Sequence, residues 1–287
     1  MTSPLATVLG FGAILLWSTL ATLTALKGPE VPPFQTSAMT FAVGGGLLTL
    51  IAALRRKWRA LVPPPSAFAL ALYGLFVYHA LYFAALRLAP AAEAGLISSL
   101  WALLTVLMSG LLPGHRLERR HLLGALLGLV AAGILVLGGE SAAIGGPAST
   151  TRYLGLALAF ACAFVWASYS VASRLVADTP SESLALPCLV TSALSFACNT
   201  WLEGWTEPAS RTSWAALGLL GVGPVGAAFF LWDVGMKRGN IALLGVLAYA
   251  SPVISTVLLV VLGFAIASWP LAVACALIVA AAAVAMR

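Results

Sequence analysis

The sequence predicts an all-α membrane protein with ten transmembrane helices, arranged as two inverted five-helix repeats. Composition, the spacing of apolar segments and a similarity between the two halves predict this fold class. Hydrophobic residues make up 61% of the 287 residues, charged residues make up 8%, and the mean hydropathy is +1.03. A soluble domain carries roughly 25% charged residues, so this chain lacks the side chains that cover a water-exposed surface. A polytopic membrane protein is the class that fits.

Apolar segments of roughly 20 residues follow one another along the chain, each long enough to cross a hydrocarbon core of about 30 Å. The ten segments cover approximately residues 4–26, 33–54, 67–87, 90–112, 120–138, 152–174, 184–203, 212–236, 239–262 and 268–286. Their connectors are short, and the longest lies near the middle of the chain. We therefore expect a first repeat over 1–138, a periplasmic linker over 139–151 and a second repeat over 152–287.

The distribution of positive charge predicts the orientation of the chain, because cytoplasmic loops are enriched in Lys and Arg. With both termini in the cytoplasm, 11 of the 15 basic residues lie inside: Arg55, Arg56, Lys57, Arg59, Arg116, Arg119, Arg120, Arg174, Lys237, Arg238 and Arg287. The outer face then carries the other four, Lys27, Arg87, Arg152 and Arg211. This asymmetry favours a multi-pass protein of the bacterial inner membrane with both termini inside.

The two halves of the chain resemble each other. The segment LLWSTLATLTALK around Trp17 aligns with FVWASYSVASRLV around Trp166 at an offset of 149 residues. At an offset of 150, the segment 82–105 aligns with 232–255. Because each half contains five spans, the second half must enter the membrane from the opposite side, as in an inverted repeat.

These features resemble the drug/metabolite transporter superfamily with paired EamA-type halves. Five short segments resemble, within it, the YddG-type bacterial exporters of aromatic amino acids: LWST (16–19), EAGLISSLW (93–101), FVWASY (164–169), WDVG (232–235) and YASPVIS (249–255). That subgroup often has proline where Ala102 stands here. The resemblance implies a secondary transporter that exports small amphipathic molecules, foremost aromatic amino acids and related metabolites, by alternating access. The export direction follows from the resemblance alone.

Polar and aromatic residues at mid-membrane depth indicate where a substrate binds. At about 1.5 Å per helical residue, His79 and Trp101 lie roughly 12–17 Å below the outer surface. Trp and Tyr ordinarily prefer the membrane interfaces, and an ionisable residue at this depth is expensive. We therefore predict a substrate-binding site lined by Trp17, Tyr78, His79, Tyr82, Ser98, Trp101, Trp166, Tyr169, Ser170 and Tyr249.

Such a site suits a flat, uncharged or zwitterionic guest that is held by ring stacking and edge contacts. The sequence neighbours of His79 are aromatic and aliphatic, so we expect a neutral imidazole at pH 7. It can then donate one hydrogen bond and accept another, which orients a substrate carboxylate or amine. The alternative for each residue alone is a core histidine with satisfied hydrogen bonds, or an interfacial tyrosine.

Charged residues are absent from the predicted mid-depth layer, which disfavours carriers of phosphorylated sugars and proton-coupled exporters of cationic drugs. Asp233 lies four residues before Lys237 and is expected to pair with it, and Glu93 lies within reach of Arg87. The sequence has neither a P-loop nor an HExxH motif, and its four cysteines lack ligand spacing. We expect no catalytic residues, no metal and no cofactor. A multidrug or cation exporter of the same superfamily and an integral membrane enzyme remain open alternatives.

The expected partners are a small-molecule substrate and membrane lipid, without nucleic acid, and we expect a monomer. Three stripes of small residues predict close helix packing: Gly124, Gly128 and Ala132; Gly155, Ala159 and Ala163; Ala272, Ala276 and Ala280. Gly221, Gly223 and Pro224 interrupt the eighth span, as a hinge or as a static kink.

Overall fold

The computed structural model describes residues 3–113, 117–137, 150–263, 267 and 269–286. Within these ranges the chain is helical, and no β-strand occurs. The predicted connector 139–151 lies outside the described residues except for Thr150 and Thr151, which begin a helix. Arg116 and Arg287, two of the basic residues expected in the cytoplasm, also lie outside them.

Fifteen α-helices occur in the described part of the chain. They are α1 Pro4–Trp17, α2 Leu20–Lys27, α3 Pro33–Leu54, α4 Pro65–Leu72, α5 Tyr78–Leu88, α6 Ala91–Ser98, α7 Trp101–Ser109, α8 Arg119–Leu137, α9 Thr150–Ala172, α10 Ala185–Leu202, α11 Arg211–Leu220, α12 Ala228–Arg238, α13 Ile241–Leu247, α14 Ala250–Val261 and α15 Trp269–Met286. Tyr73–Val77 and Gly221–Ala227 are π-helical, and Trp58–Leu61, Ser173–Val176 and Ser181–Leu184 are 3₁₀ turns.

Consecutive helices combine into segments that are long and apolar enough to cross a membrane. Among the described residues there are eight: Pro4–Lys27, Pro33–Leu54, Pro65–Leu88, Thr150–Val176, Ser181–Leu202, Arg211–Arg238, Ile241–Val261 and Trp269–Met286. Glu93–Ser109 is a shorter apolar helical segment, and α8 adds a helix of 19 residues. The protein is therefore a multi-pass α-helical membrane protein.

The helices pack into two compact units, and each unit takes residues from both halves of the sequence. The first unit comprises Met1–Phe76 and Ala172–Gly239, and the second comprises Val77–Val171 and Asn240–Arg287. The chain passes from one unit to the other three times: within the π-helical stretch Tyr73–Val77, at the end of α9, and between α12 and α13. Hydropathy alone does not show this interleaving.

In the first unit α3 packs against α10, α1 against α12, and α2 against α11. A Cβ atom at Gly45 would lie 2.9 Å from the Leu189 side chain, so the missing side chain lets α3 approach α10. Gln35 exchanges two hydrogen bonds with the backbone of Thr206, at 2.6 and 2.8 Å. Glu203 accepts the backbone N–H of Phe34 at 2.8 Å, which satisfies a donor in the first turn of α3. These bonds attach the connector after α10 to the start of α3.

In the second unit α8 packs against α15, and α13 packs against α7. Gly124 leaves room for the Ala281 carbonyl, which would lie 3.0 Å from an added Cβ, and Gly128 lies directly against the ring of Tyr249. In α9, Gly155 adjoins Ala89, 2.7 Å from an added Cβ. The stripes predicted on α8 and α9 are thus confirmed as packing surfaces.

The stripe predicted on α15 is wrong. Ala272, Ala276 and Ala280 are exposed, whereas Ala274 and Ala281 are buried. The helix is apolar all the way round, so its sequence carries no amphipathic signal that distinguishes the packed face from the lipid face. The four-residue spacing of these alanines therefore did not identify the face of α15 that packs against other helices.

Several membrane segments contain a break, where the backbone tightens into i→i−3 hydrogen bonds. Thr19 bonds to Leu16 (3.1 Å) between α1 and α2, Leu100 bonds to Ile97 (3.1 Å) between α6 and α7, and Tyr249 bonds to Val246 (3.2 Å) between α13 and α14. At the first two breaks, hydroxyls of Ser18, Thr19, Ser98 and Ser99 bond to carbonyls one turn earlier. Such side-chain bonds compete with helical ones and bend helices.

The π-helical stretch Gly221–Ala227 confirms the predicted interruption at Pro224. The second π-helical stretch, Tyr73–Val77, was not predicted, since its sequence YGLFV contains no proline.

Replacing Gly128 with alanine tests the packing of α8. The new methyl group would collide with both the ring and the Cβ of Tyr249, and the Cβ cannot move without its backbone. We expect a loss of about 1–3 kcal/mol of stability, measured as a lower melting temperature. Gly46→Ala is the matched control, since a Cβ there meets nothing within 4 Å and alanine favours a helix. Equal melting temperatures of both variants would contradict a tight contact at Gly128.

Candidate functional site

Six of the ten predicted site residues meet in the second unit and form an aromatic cluster: Tyr78, His79, Tyr82, Trp101, Trp166 and Tyr169. The ring of Tyr78 has two close neighbours: its centroid lies 5.1 Å from those of His79 and Trp166. Trp166 continues the cluster, 6.3 Å from Trp101 and 5.4 Å from Tyr169. The predicted proximity of these residues therefore holds within this unit.

Helical periodicity explains much of this arrangement. Tyr78 and Tyr82 lie one turn apart on α5, and their rings are parallel within 3° at a centroid distance of 6.2 Å. Trp166 and Tyr169 likewise lie one turn apart on α9. Trp101 is the first residue of α7, directly after the break that follows α6. The break in the backbone thus determines the position of the Trp101 indole.

The six side chains of the cluster differ in exposure. Tyr78, His79, Tyr82 and Trp101 are partly exposed, whereas Trp166 and Tyr169 are only 4% and 3% exposed. Trp166 presents its ring edge-on to Trp101, at 86° between the planes, which is a favourable aromatic geometry. The first four side chains thus form the more exposed part of the cluster, and Trp166 and Tyr169 pack beneath them.

One aromatic residue of this region was not predicted from the sequence. Phe83 is partly exposed, and its ring lies 6.0 Å from that of His79 and 6.2 Å from that of Tyr82. The sequence prediction included only aromatic residues that carry a polar group, so it left out phenylalanine. Phe83 lies four residues after His79 on α5, and this spacing indicates that it shares the same helix face.

The remaining predicted residues of this unit are buried within its packing. Ser98 uses its hydroxyl to bond the Gly95 carbonyl at 2.9 Å, and Ser170 is fully buried one residue after Tyr169. Tyr249 is buried against Gly128, and among the described residues no ring contact joins it to the aromatic cluster. These three side chains contribute to the helix packing around the cluster.

Trp17 belongs to the first unit. Its indole N–H donates to the Pro224 carbonyl at 2.9 Å, and its ring lies 6.0 Å from Phe229 and 5.1 Å from Trp232. Pro224 lies in the π-helical stretch, where regular helical bonding is interrupted. Trp17 therefore supplies a donor that fixes this irregular backbone, a role that the sequence did not indicate.

Several charged side chains near the ends of the described membrane segments have close partners. The predicted pair of Lys237 and Asp233 is confirmed, with 2.8 Å between Nζ and Oδ2 and both side chains buried. Ser181 donates to the same carboxylate at 2.6 Å. Arg174 donates to the carbonyls of Met236 and Gly239, the C-terminal end of α12. A cation at that end also interacts favourably with the helix dipole.

Glu93 is held by Arg152, a partner that the sequence did not indicate. Two hydrogen bonds join them, from Nη2 to Oε1 at 2.7 Å and from Nε to Oε2 at 3.0 Å. This bidentate geometry links the first turn of α9 to α6. Within the described ranges, no group of three or more His, Cys, Asp or Glu residues could hold a metal ion.

The fold and the aromatic cluster together define the class: a multi-pass helical membrane protein with partly exposed aromatic rings. The chain belongs to the EamA-like transporter family, which matches residues 4–137 and 153–287. It is 52% identical over 283 residues to the aromatic amino acid exporter YddG of Ancylobacter novellus, covering 98% of this chain and 96% of the relative. It is 30% identical over 271 residues to YddG of Salmonella typhimurium, covering 90% and 88%.

A solved structure is also similar. A crystal structure of a protein with 50% sequence identity superimposes with a TM-score of 0.91, covering 98% of this chain and 96% of the other. The family resemblance inferred from the sequence is therefore confirmed.

The hydrogen bond from Trp17 to Pro224 can be tested with Trp17→Phe. Phenylalanine keeps an aromatic ring against Phe229 and Trp232 but leaves the Pro224 carbonyl without the indole donor. We expect a loss of about 1 kcal/mol in stability, seen as a lower melting temperature. Trp214→Phe, at an exposed tryptophan of α11, is the control and should change little. The same melting temperature for both variants would argue against the proposed role of the indole.

Proposed function

We propose that the protein is a secondary transporter that exports aromatic amino acids and related small amphipathic metabolites across the bacterial inner membrane. The aromatic cluster carries this proposal, because it presents the partly exposed rings of Tyr78, Tyr82 and Trp101 beside the His79 imidazole. Membership of the EamA-like transporter family and the names of the similar proteins support the substrate class and the direction.

The chemistry of the cluster fits an aromatic zwitterion. The ring of a guest gains from stacking and edge contacts with tyrosine and tryptophan faces, about 0.5–1.5 kcal/mol for each pair beyond simple burial. A neutral His79 can bond the carboxylate or amine without adding fixed charge. Because the described charges nearby are paired, such as Glu93 with Arg152, a guest with no net charge needs no counter-ion from the protein.

We also propose ten membrane spans in two inverted repeats, with a periplasmic linker over 139–151 and both termini in the cytoplasm. Glu93–Ser109 and α8 complete the ten when added to the eight candidate spans. Two separate matches to one family, over 4–137 and 153–287, support the repeats. The bias of Lys and Arg toward one set of connectors supports the orientation.

Alternating access is the proposed transport cycle, with a monomer as the working unit. It needs parts of the chain that keep their internal packing while access to the site changes. The inverted repeat by itself favours a rocking of the two five-helix halves against each other. We propose that the two compact units are the better candidates for these parts, because each contains most of the helix contacts of its own segments.

A liposome efflux assay tests the proposed function. Proteoliposomes loaded with radiolabelled Phe, Trp or Tyr should release label faster than protein-free liposomes. His79→Ala should reduce release severely, and Trp101→Ala should weaken apparent affinity by about 1 kcal/mol, roughly fivefold, because a stacking face is lost. Phe164→Ala, an exposed aromatic on α9, is the matched control and should transport normally.

Melting temperatures of the same preparations separate a binding role from a structural one. If His79 only packs, melting should fall in parallel with efflux, and His79→Gln or His79→Asn should restore both. No stimulated release of any aromatic amino acid would refute the substrate assignment. Release of lipophilic cations instead would point to a multidrug exporter, and chemical conversion of the compound would point to an enzyme.

A further inference from the structure

The connector between α3 and α4 concentrates positive charge at a membrane surface. Arg55, Arg56, Lys57 and Arg59 supply four cations within five residues, and all four are exposed. We refer to these residues as the basic collar. Because the connector joins the candidate spans Pro33–Leu54 and Pro65–Leu88, it lies at the level of the lipid headgroups whichever way the protein is inserted.

One buried carboxylate neutralises only part of this charge. Oε1 of Glu182 contacts Lys57 at 2.8 Å and Arg55 at 3.3 Å, and its side chain is only 4% exposed. The side chains of Arg56 and Arg59 have no hydrogen bond or ion pair to any described residue. One carboxylate against four cations leaves three positive charges in excess, and two guanidinium groups are available for an external anion.

The backbone at Arg56 is unusual. The N–H groups of Arg56 and Lys57 bond to the carbonyls of Ala53 (2.9 Å) and Ala52 (2.8 Å), which is the Schellman arrangement that ends a helix. Arg56 occupies its left-handed position with φ of 55°, and it is the one non-glycine residue with positive φ in the described chain. Glycine normally fills this position, since a side chain there costs about 1 kcal/mol. A strained position that carries arginine suggests a function for the side chain.

Apolar side chains lie beside the cations. Trp58 is 60% exposed, and Leu54 and Val62 are exposed as well. Tryptophan prefers the boundary between headgroups and acyl chains. The 3₁₀ turn Trp58–Leu61 packs against the turn Ser181–Leu184, so the collar is held in shape by the same unit that contains Glu182. A preformed surface loses less freedom on binding.

We propose that the basic collar binds the headgroups of anionic phospholipids, with Arg56 and Arg59 contacting the phosphate and Trp58 lying at the acyl-chain boundary. Guanidinium groups bind phosphate oxygens in a bidentate manner. Juxtamembrane clusters of this size are attracted to anionic lipid, and each basic residue contributes separately. The proposal depends on the membrane placement of the connector and is independent of the transported substrate.

Native mass spectrometry of the delipidated full-length protein in detergent tests this proposal, by titration with dioleoylphosphatidylglycerol or dioleoylphosphatidylcholine. We expect tighter binding of phosphatidylglycerol, and a loss of about thirtyfold in its affinity in the double variant Arg56→Gln/Arg59→Gln. The double variant Arg119→Gln/Arg211→Gln removes the same charge at two other membrane-end positions and should lose clearly less affinity. Unchanged affinity in the first variant, or an equal loss in both, would overturn the proposal.

Two further measurements distinguish a direct lipid contact from misfolding and from attraction to charge alone. Arg56→Gly removes the strain at the left-handed position, so it should melt at a higher temperature without lipid and still bind phosphatidylglycerol several times more weakly. Weaker binding together with lower melting would indicate misfolding and would count against a direct contact. Glycerol 3-phosphate carries the charge without acyl chains, and binding as tight as that of phosphatidylglycerol would overturn the assignment to lipid.

Discussion

Polar backbone groups inside a membrane must find partners within the protein, because lipid offers none. The segments of this chain contain breaks and π-helical stretches, and at some of them side chains bond to backbone carbonyls. The Trp17 indole bonds the Pro224 carbonyl in one π-helical stretch, and hydroxyls of Ser18 and Ser99 bond carbonyls at two breaks. These irregularities also position the site, since Tyr78 begins α5 directly after a π-helical stretch and Trp101 begins α7 directly after a break.

The same constraint governs charge. A buried ion is stable only with close partners, and the described pairs meet this condition: Lys237 with Asp233, Arg152 with Glu93, and Lys57 with Glu182. Each pair lies near the end of a helix and connects elements or turns of one unit. The aromatic cluster, in contrast, relies on ring contacts and partly exposed faces. The described ion pairs thus hold helices together, whereas the candidate site consists of aromatic rings and the His79 imidazole.

The sequence predicted what depends on composition and local periodicity. It identified the membrane class, the proximity of Tyr78, His79 and Tyr82 on one helix, and the packing stripes of α8 and α9. It did not predict long-range contacts, such as that of Arg152 with Glu93, 59 residues earlier. It chose the wrong face of α15 because that helix is apolar throughout. Breaks without proline were missed, since serine and threonine also occur in regular helices.

A cysteine placed beside the aromatic cluster can show whether substrate binds there. Ser99 is partly exposed in the break before Trp101, and Ser99→Cys can be labelled in a background where the half-buried Cys198 and Cys275 are replaced. With a membrane-impermeant maleimide, L-phenylalanine should slow labelling from the face to which the site is open, whereas L-lysine should not. Labelling that L-phenylalanine leaves unchanged from both faces would contradict a substrate site at the cluster.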